Sequence, residues 1–307
     1  MKDDHIMTGS LKAWVLAARP KTLSGAAVPV MISLSLAWNA LFLTGESAYK
    51  MNCRDAIIVS ILTVVFAFVM QIAANFINDY FDFMKGNDDE TRLGPKRACA
   101  MGWIHGRDML RAIYITIALA CVVGLPLAIY GGIMMFAIGI ACVIFCFLYT
   151  THLSYLGLGD LLVLVFFGII PVCVPYYIIL KSITCEVFTA SIACGLVIDT
   201  LLMINNYRDL ENDERVGKRT LAVRLGKSKS RKTYLLLGVV ACFSGFVFVL
   251  YGHWWAFILP IVYLFLHVLT YKHMVRIDHG RELNIILAKT ARNMLFYGFL
   301  VSIGIWL

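Results

Sequence analysis

At 307 residues, 60% hydrophobic and only 15% charged, the chain carries too little charge for a soluble domain, in which about a quarter of residues are charged. It reads as a single polytopic membrane domain spanning residues 1–307. The net charge of +8 would suit nucleic acid if it were concentrated on one folded surface, but its distribution along the chain excludes that partner.

The first 21 residues mix Asp3, Asp4, Lys12 and Arg19, so no cleaved leader is predicted, and the apolar run that follows is long enough to remain as a helix. Apolar runs of spanning length fall at 22–43, 56–77, 110–130, 132–149, 161–180, 187–206, 233–251, 254–271 and 288–307. They predict an all-α membrane protein, a bundle of nine transmembrane helices. The pair at 110–149 is separated only by Tyr130-Gly131-Gly132, and the last run carries Lys289 and Arg292 near its start. With the N-terminus inside, 24 Lys and Arg fall on the cytoplasmic side and only Lys50, Arg54 and Lys181 on the other. That bias fixes the predicted orientation, N-terminus cytoplasmic, in the cytoplasmic (inner) membrane of a cell. The basic excess is therefore mainly topogenic, with a share left to attract anionic lipid or substrate. The nine cysteines show neither a CxxC pair nor a ligand spacing with His and read as packing residues, without disulfides.

Two stretches are nearly the same hexapeptide: Ile77-Asn78-Asp79-Tyr80-Phe81-Asp82 and Ile204-Asn205-Asn206-Tyr207-Arg208-Asp209. They lie 127 residues apart, at the ends of the second and sixth runs. This spacing predicts a four-helix unit repeated in parallel, with a ninth helix appended. An even number of helices between the copies brings both to the cytoplasmic face, where the connections 80–109 and 207–232 form caps over a cavity.

At 100° per residue, Asn78, Asp79 and Asp82 fall within about a third of a turn, and Asn205, Asp209 and Asp213 share another face. Polar stripes at a membrane surface are costly unless they bind something, and oxygen ligands of this kind suit Mg²⁺ carrying a diphosphate. Asp88 and Asp89 lie nearby. Basic residues follow each stripe: Arg92, Lys96 and Arg97 after the first, Lys218, Arg219 and Arg224 after the second. Each is equally readable as a topogenic charge or a phosphate contact. Arg19 and Lys21 divide the same way between a basic membrane anchor and an anion contact. Asp199 lies about 9 Å before Asn205 along the helix and off the ligand stripe, so it is expected to hydrogen-bond a neighbouring helix.

The patterns N-D-x-x-D at 78–82 and N-x-x-x-D-x-x-x-D at 205–213 resemble the paired motifs of the UbiA superfamily of intramembrane aromatic prenyltransferases. Residues 18–22 (ARPKT), 78–86 (NDYFDFMKG), 93–97 (LGPKR), 157–160 (GLGD), 206–209 (NYRD) and 217–226 (GKRTLAVRLG) are similar to its MenA branch, the 1,4-dihydroxy-2-naphthoate polyprenyltransferases. The resemblance spans nearly the whole chain. It departs at Gly86, where the superfamily often carries an Asp, so Asp88 takes that role, and in a short Tyr149–Tyr155 connection that lacks a Gly/Pro-rich insert.

The resemblance implies transfer of a polyprenyl group from its diphosphate to the naphthoate, with loss of CO₂ and diphosphate, giving demethylmenaquinol in menaquinone (vitamin K2) biosynthesis. The partners it implies are polyprenyl diphosphate, 1,4-dihydroxy-2-naphthoate and the bilayer, and the cofactor is Mg²⁺. It makes Asp82 and Asp209 the principal catalytic and metal-binding residues, joined by Asn78, Asp79, Asp88, Asn205 and Asp213. Arg97, Lys96, Lys218 and Arg219 would grip diphosphate, and Arg19, Lys21 and Tyr149 would contact the acceptor. Phe81 or Tyr149 would shield an allylic cation, against the simpler reading of bundle packing. The alternatives are another aromatic acceptor such as 4-hydroxybenzoate, and a cation-coupled transporter, in which the acidic stripes bind a driving ion.

Overall fold

The computed structural model describes residues 6–44, 51–86 and 93–307, and among these the regular structure is helical, with no strand. In lipid a helix satisfies its own backbone, which is why apolar runs of this length take no other form. Eight helices are long and apolar enough to cross a bilayer: α1 (Leu11–Phe42), α2 (Cys53–Met84), α3 (Gly106–Gly131), α4 (Ile133–Leu153), α5 (Gly159–Leu180), α6 (Cys185–Arg208), α7 (Leu221–Leu250) and α8 (Trp254–Ile277). A ninth, α9 (Leu283–Trp306), has the length but not the apolarity, because Lys289, Arg292 and Asn293 occupy its first half. Eight of the nine predicted spans therefore stand on length and composition together.

α6 is the central helix: 67% of its most apolar stretch is buried in the bundle, against 11% for α4, whose Ile133, Met134, Ile140 and Ile144 face outward. α6 packs on α5, α7 and α9, while α1 packs on α2, α5 and α9. Small residues set the α5–α6 crossing: a Cβ on Gly168 would lie 2.7 Å from the Ser191 carbonyl oxygen and 2.8 Å from Gly195 Cα. Such close backbone approach is how helices associate where lipid supplies no hydrophobic drive.

α1 is broken near its start. Arg19 adopts a left-handed backbone (φ 51°, ψ 69°) before Pro20, and residues 20–22 form a single tight turn. Asn75 of α2 locks this break by donating to the Ala18 carbonyl and to Thr22 Oγ1, both at 2.8 Å. A non-glycine residue held in this region is strained and needs such support. The break turns Arg19 and Lys21 toward a cavity enclosed by α1–α6 and α9.

Candidate active site

The cavity measures about 1940 Å³. Its α2 wall runs from Asp82 through Asn78, Gln71 and Phe66 to Thr63, a depth of about 28 Å at 1.5 Å per residue. Polar and charged side chains gather at one end, while Phe66, Met70, Leu125, Phe145 and Phe166 line the remainder.

The first acidic motif closes the last turns of α2. Asn78 and Asp82 line the cavity, and Asn78 Oδ1 accepts from Thr150 Oγ1 at 2.7 Å. Asp82 is buried and paired with Arg97 at 2.9 Å, Arg97 being buried as well. Asp79 does not join them, contrary to the reading that put all three on one ligand face. It is 1% exposed, lies outside the cavity wall and accepts the backbone amides of Ala98 and Cys99, both at 2.9 Å. The 60° that separates Asp79 from Asp82 around the helix is enough to turn it outward. There it anchors the segment that carries Arg97. Asp88, Asp89 and Arg92 lie outside the described residues.

The second motif survives the end of α6. Asp209 interrupts the helix, yet its amide still bonds the Asn205 carbonyl at 3.1 Å, and the Asp213 amide bonds the Asp209 carbonyl at 2.8 Å. The i, i+4, i+8 stripe thus continues into the short helix Leu210–Arg215, and Asn205, Asp209 and Asp213 all line the cavity, as does Asn206. Arg208, which the sequence reading left without a role, is 4% exposed and grips Asp209 with both arms: Nε to Oδ1 at 2.8 Å and Nη2 to Oδ2 at 2.5 Å. Asp213 lies 4.0 Å from Lys218. Burial pushes the Asp213 carboxyl up to about 6; Lys218 opposes this, while Asp209 and Asp82 add to it. That mutual influence brings carboxylates of both motifs into one electrostatic site.

Lys96, Lys218, Arg19, Lys21 and Tyr149 line the cavity with Arg97. Arg219 does not: its side chain is exposed and its backbone packs under Gly157. Gly157 (φ 73°) has no room for a Cβ, which would fall 2.2 Å from the Arg219 carbonyl oxygen. Phe81 is also outside the cavity and packs against Tyr80 and Phe147. The end of α4 and the short connection after it contact the segments that follow both motifs. Lys85 donates to the Thr151 carbonyl at 2.6 Å and sits over the Tyr155 ring at 4.2 Å, with Lys218 5.1 Å from the same ring. Burial lowers the Lys85 pKa, opposed by Asp82 and assisted by Lys218. Asp199 is buried off the cavity and lies near Asp160 at the start of α5, so its neighbour across the helix interface is a second carboxyl group.

Among the described residues no three Asp, Glu, His or Cys side chains converge closely enough to cage an ion by themselves. The ligand atoms at the polar end are oxygens, from the carboxylates of Asp82, Asp209 and Asp213, the amides of Asn78, Asn205 and Asn206, and hydroxyls such as those of Thr150 and Thr220. Both facts fit Mg²⁺, which takes one or two carboxylates and completes its shell with water and substrate phosphate. They do not fit a soft or tightly caged metal.

The model of the UbiA prenyltransferase family matches residues 25–298. The chain is 31% identical to the 1,4-dihydroxy-2-naphthoate octaprenyltransferase of Escherichia coli (strain K12), with 96% of each chain covered. Among solved structures it resembles the apo form of a UbiA homolog from Aeropyrum pernix K1, with a TM-score of 0.67 at 15% identity over 92% of this chain and 96% of that one. A UbiA homolog from Archaeoglobus fulgidus bound to GPP and Mg²⁺ gives a TM-score of 0.56 at 14% identity, over 94% of this chain and 99% of the other.

Proposed function

The chain belongs to the UbiA prenyltransferase family, and from that premise we propose that it transfers a polyprenyl group from polyprenyl diphosphate to 1,4-dihydroxy-2-naphthoate in menaquinone biosynthesis. One observation carries the proposal. A single cavity, about 28 Å deep along α2 in all, joins an end rich in acids and cations to a mostly apolar remainder, the shape of a lipid diphosphate.

Asp82, Asp209 and Asp213, with Asn78 and Asn205, would hold Mg²⁺ at the polar end. When bound, the metal withdraws charge from the departing diphosphate. Arg97, Lys96 and Lys218 face the same diphosphate, and Arg97, held against Asp82 before ionisation, stabilises its growing charge without reorganising. The allylic C–O bond breaks with its electron pair going to diphosphate. The ring carbon that bears the carboxylate forms the new C–C bond; its bond to CO₂ then breaks and returns the pair to the ring, so no net proton is moved. Apolar walls at Phe145, Phe166 and Phe167 keep water from the cation. Arg19 and Lys21, which line the cavity as Tyr149 does, supply the cationic contact for the acceptor carboxylate. Asp79 acts at one remove, through the backbone of residues 98–99.

The proposal extends to topology. All nine long helices span the membrane, the α1–α4 and α5–α8 halves repeat in parallel, and the connections after α2 and α6 cap a cytoplasm-facing site in the inner membrane. The matched positions of the two motifs and the charge bias support this.

The test incubates purified protein with Mg²⁺, one polyprenyl diphosphate and either acceptor. Prenylated naphthoate lacking its carboxylate is expected, with 4-hydroxybenzoate a poor substrate. Equal or faster reaction of 4-hydroxybenzoate, or product that retains the carboxylate, would overturn the assignment.

A further inference from the structure

Arg208 uses all three guanidinium nitrogens. Besides gripping Asp209, Nη2 donates to Asn205 Oδ1 at 2.9 Å and Nη1 to Asn284 Oδ1 at 2.8 Å. Asn284 sits in the first turn of α9, and its own Nδ2 donates to the Leu93 carbonyl at 2.8 Å and the Arg281 carbonyl at 2.9 Å. Leu93 opens the segment that four residues later presents Arg97 to Asp82. A chain of polar contacts therefore runs from Asp209 through Arg208 and Asn284 to residues 93–97 and Asp82. It connects the two acidic motifs, and α9 supplies the link.

We infer, on the basis of the prenyl transfer proposed above, that Asn284 is a positioning residue that holds the two acidic half-sites at the spacing a Mg²⁺–diphosphate requires. A guanidinium is a rigid planar fork. Two of its nitrogens meet Asp209 and Asn205, and Asn284 holds the third, which fixes the plane of the fork. One carboxamide accepts and donates from the same plane, so it can fix Arg208 and tether residues 93–97 at once. Neither Ala nor Asp can do both. The Arg19–Thr22 wall is anchored separately, through Asn75, so loss of the Asn284 link falls on diphosphate and metal rather than on the acceptor.

Asn284→Ala and the near-isosteric Asn284→Asp test this. Asp loses the donor to Leu93 and draws Arg208 away from Asp209. In both variants the Mg²⁺ concentration for half-maximal turnover and the KM for polyprenyl diphosphate are expected to rise about tenfold, the scale of one charge-assisted hydrogen bond, with the acceptor KM within about twofold. Independently of turnover, the upward shift in Tm that Mg²⁺ with inorganic pyrophosphate gives the wild type should shrink, with only a small fall in the unliganded Tm because Asp209 still pairs with the Arg208 charge. Unchanged metal and diphosphate dependence in the variants overturns the inference. So does a uniform loss of all parameters that follows a fall in unliganded Tm, the mark of a purely structural brace. If wild type prenylates neither acceptor yet the pyrophosphate shift is present and weakens in the variants, the transfer reading fails and the positioning role stands. If transfer proceeds and the shift is the same in all three proteins, only the positioning role fails.

Discussion

Replacing Asp82 with Asn should cost stability as well as activity, and the structure separates the two. Asp82 and Arg97 are 7% and 6% exposed and form a pair at 2.9 Å. An amide keeps the shape but leaves the Arg97 guanidinium buried beside a neutral partner. Removing one member of a buried ion pair typically costs about 3–5 kcal/mol, because the remaining charge is uncompensated. The polar end also contains Asp213, so the lower part of that range, about 3 kcal/mol, is expected here. Asp82→Asn with Arg97→Gln removes both charges and should recover about 2 kcal/mol of the loss, since a neutral pair carries no orphaned charge. Diphosphate release should fall at least tenfold in both the single and the double variant, because metal-type charge stabilisation is worth several kcal/mol. Unfolding followed by intrinsic fluorescence in a fixed detergent, beside a diphosphate-release assay, reads both quantities. A single variant as stable as wild type, or a double variant no more stable than the single, would refute the buried-pair reasoning. Substantial activity at saturating Mg²⁺ would refute the ligand role.

Asp209→Asn should likewise abolish diphosphate release, and because Arg208 is 4% exposed it too should lower the unfolding midpoint in detergent. Asp213 has a folded pKa of about 6 against an unfolded value of about 3.9, so the fold favours its protonated form; its contribution to stability is present below about pH 4 and is lost as pH rises through 6. Binding of Mg²⁺ with pyrophosphate, which needs the carboxylate, should accordingly tighten between about pH 5 and 7; Asp213→Asn should flatten that dependence in a titration. Gly157→Ala forces a Cβ to 2.2 Å from the Arg219 carbonyl oxygen at φ 73°; it should destabilise by about 1–3 kcal/mol and weaken diphosphate binding by displacing the 217–226 segment, both readable in the same thermal scan. Single cysteines at 101 and 183, labelled from either side of sealed vesicles, should react on opposite faces, and labelling of both from outside would defeat the proposed topology.

The presence and rough limits of the eight apolar helices follow from run length because the bilayer leaves the backbone no alternative. Shape within the runs is another matter. The α1 break rests on Arg19 in a left-handed conformation and on Asn75, 57 residues away from the carbonyl it holds. Nothing local to residues 18–22 beyond Pro20 announces it. The α5–α6 crossing is similar: Gly168 and Gly195 are ordinary glycines in apolar runs until each helix is seen against the other.

The same division governs the site. Periodicity brought Asn78 and Asp82 to the cavity, and Asn205, Asp209 and Asp213 with them. It failed at Asp79, where the amides of Ala98 and Cys99 claim the carboxylate from a cap whose path no helical wheel contains. Arg208 stood inside the quoted motif, but charge counting at a membrane edge gives every arginine the same topogenic reading. Only burial and the partner on α9, 76 residues on, distinguish it. Asn284 has no sequence signal at all, being one polar residue among several where α9 begins. What single-sequence reasoning recovers is thus the set of ligands that a helix presents in a row. What it misses is the set of residues that hold those rows apart, because their partners are set by tertiary packing alone. Helix α9 is where this matters most: Lys289, Arg292 and Asn293 make it the least apolar of the long helices, and Asn284 at its start bonds both Arg208 and the Leu93 carbonyl.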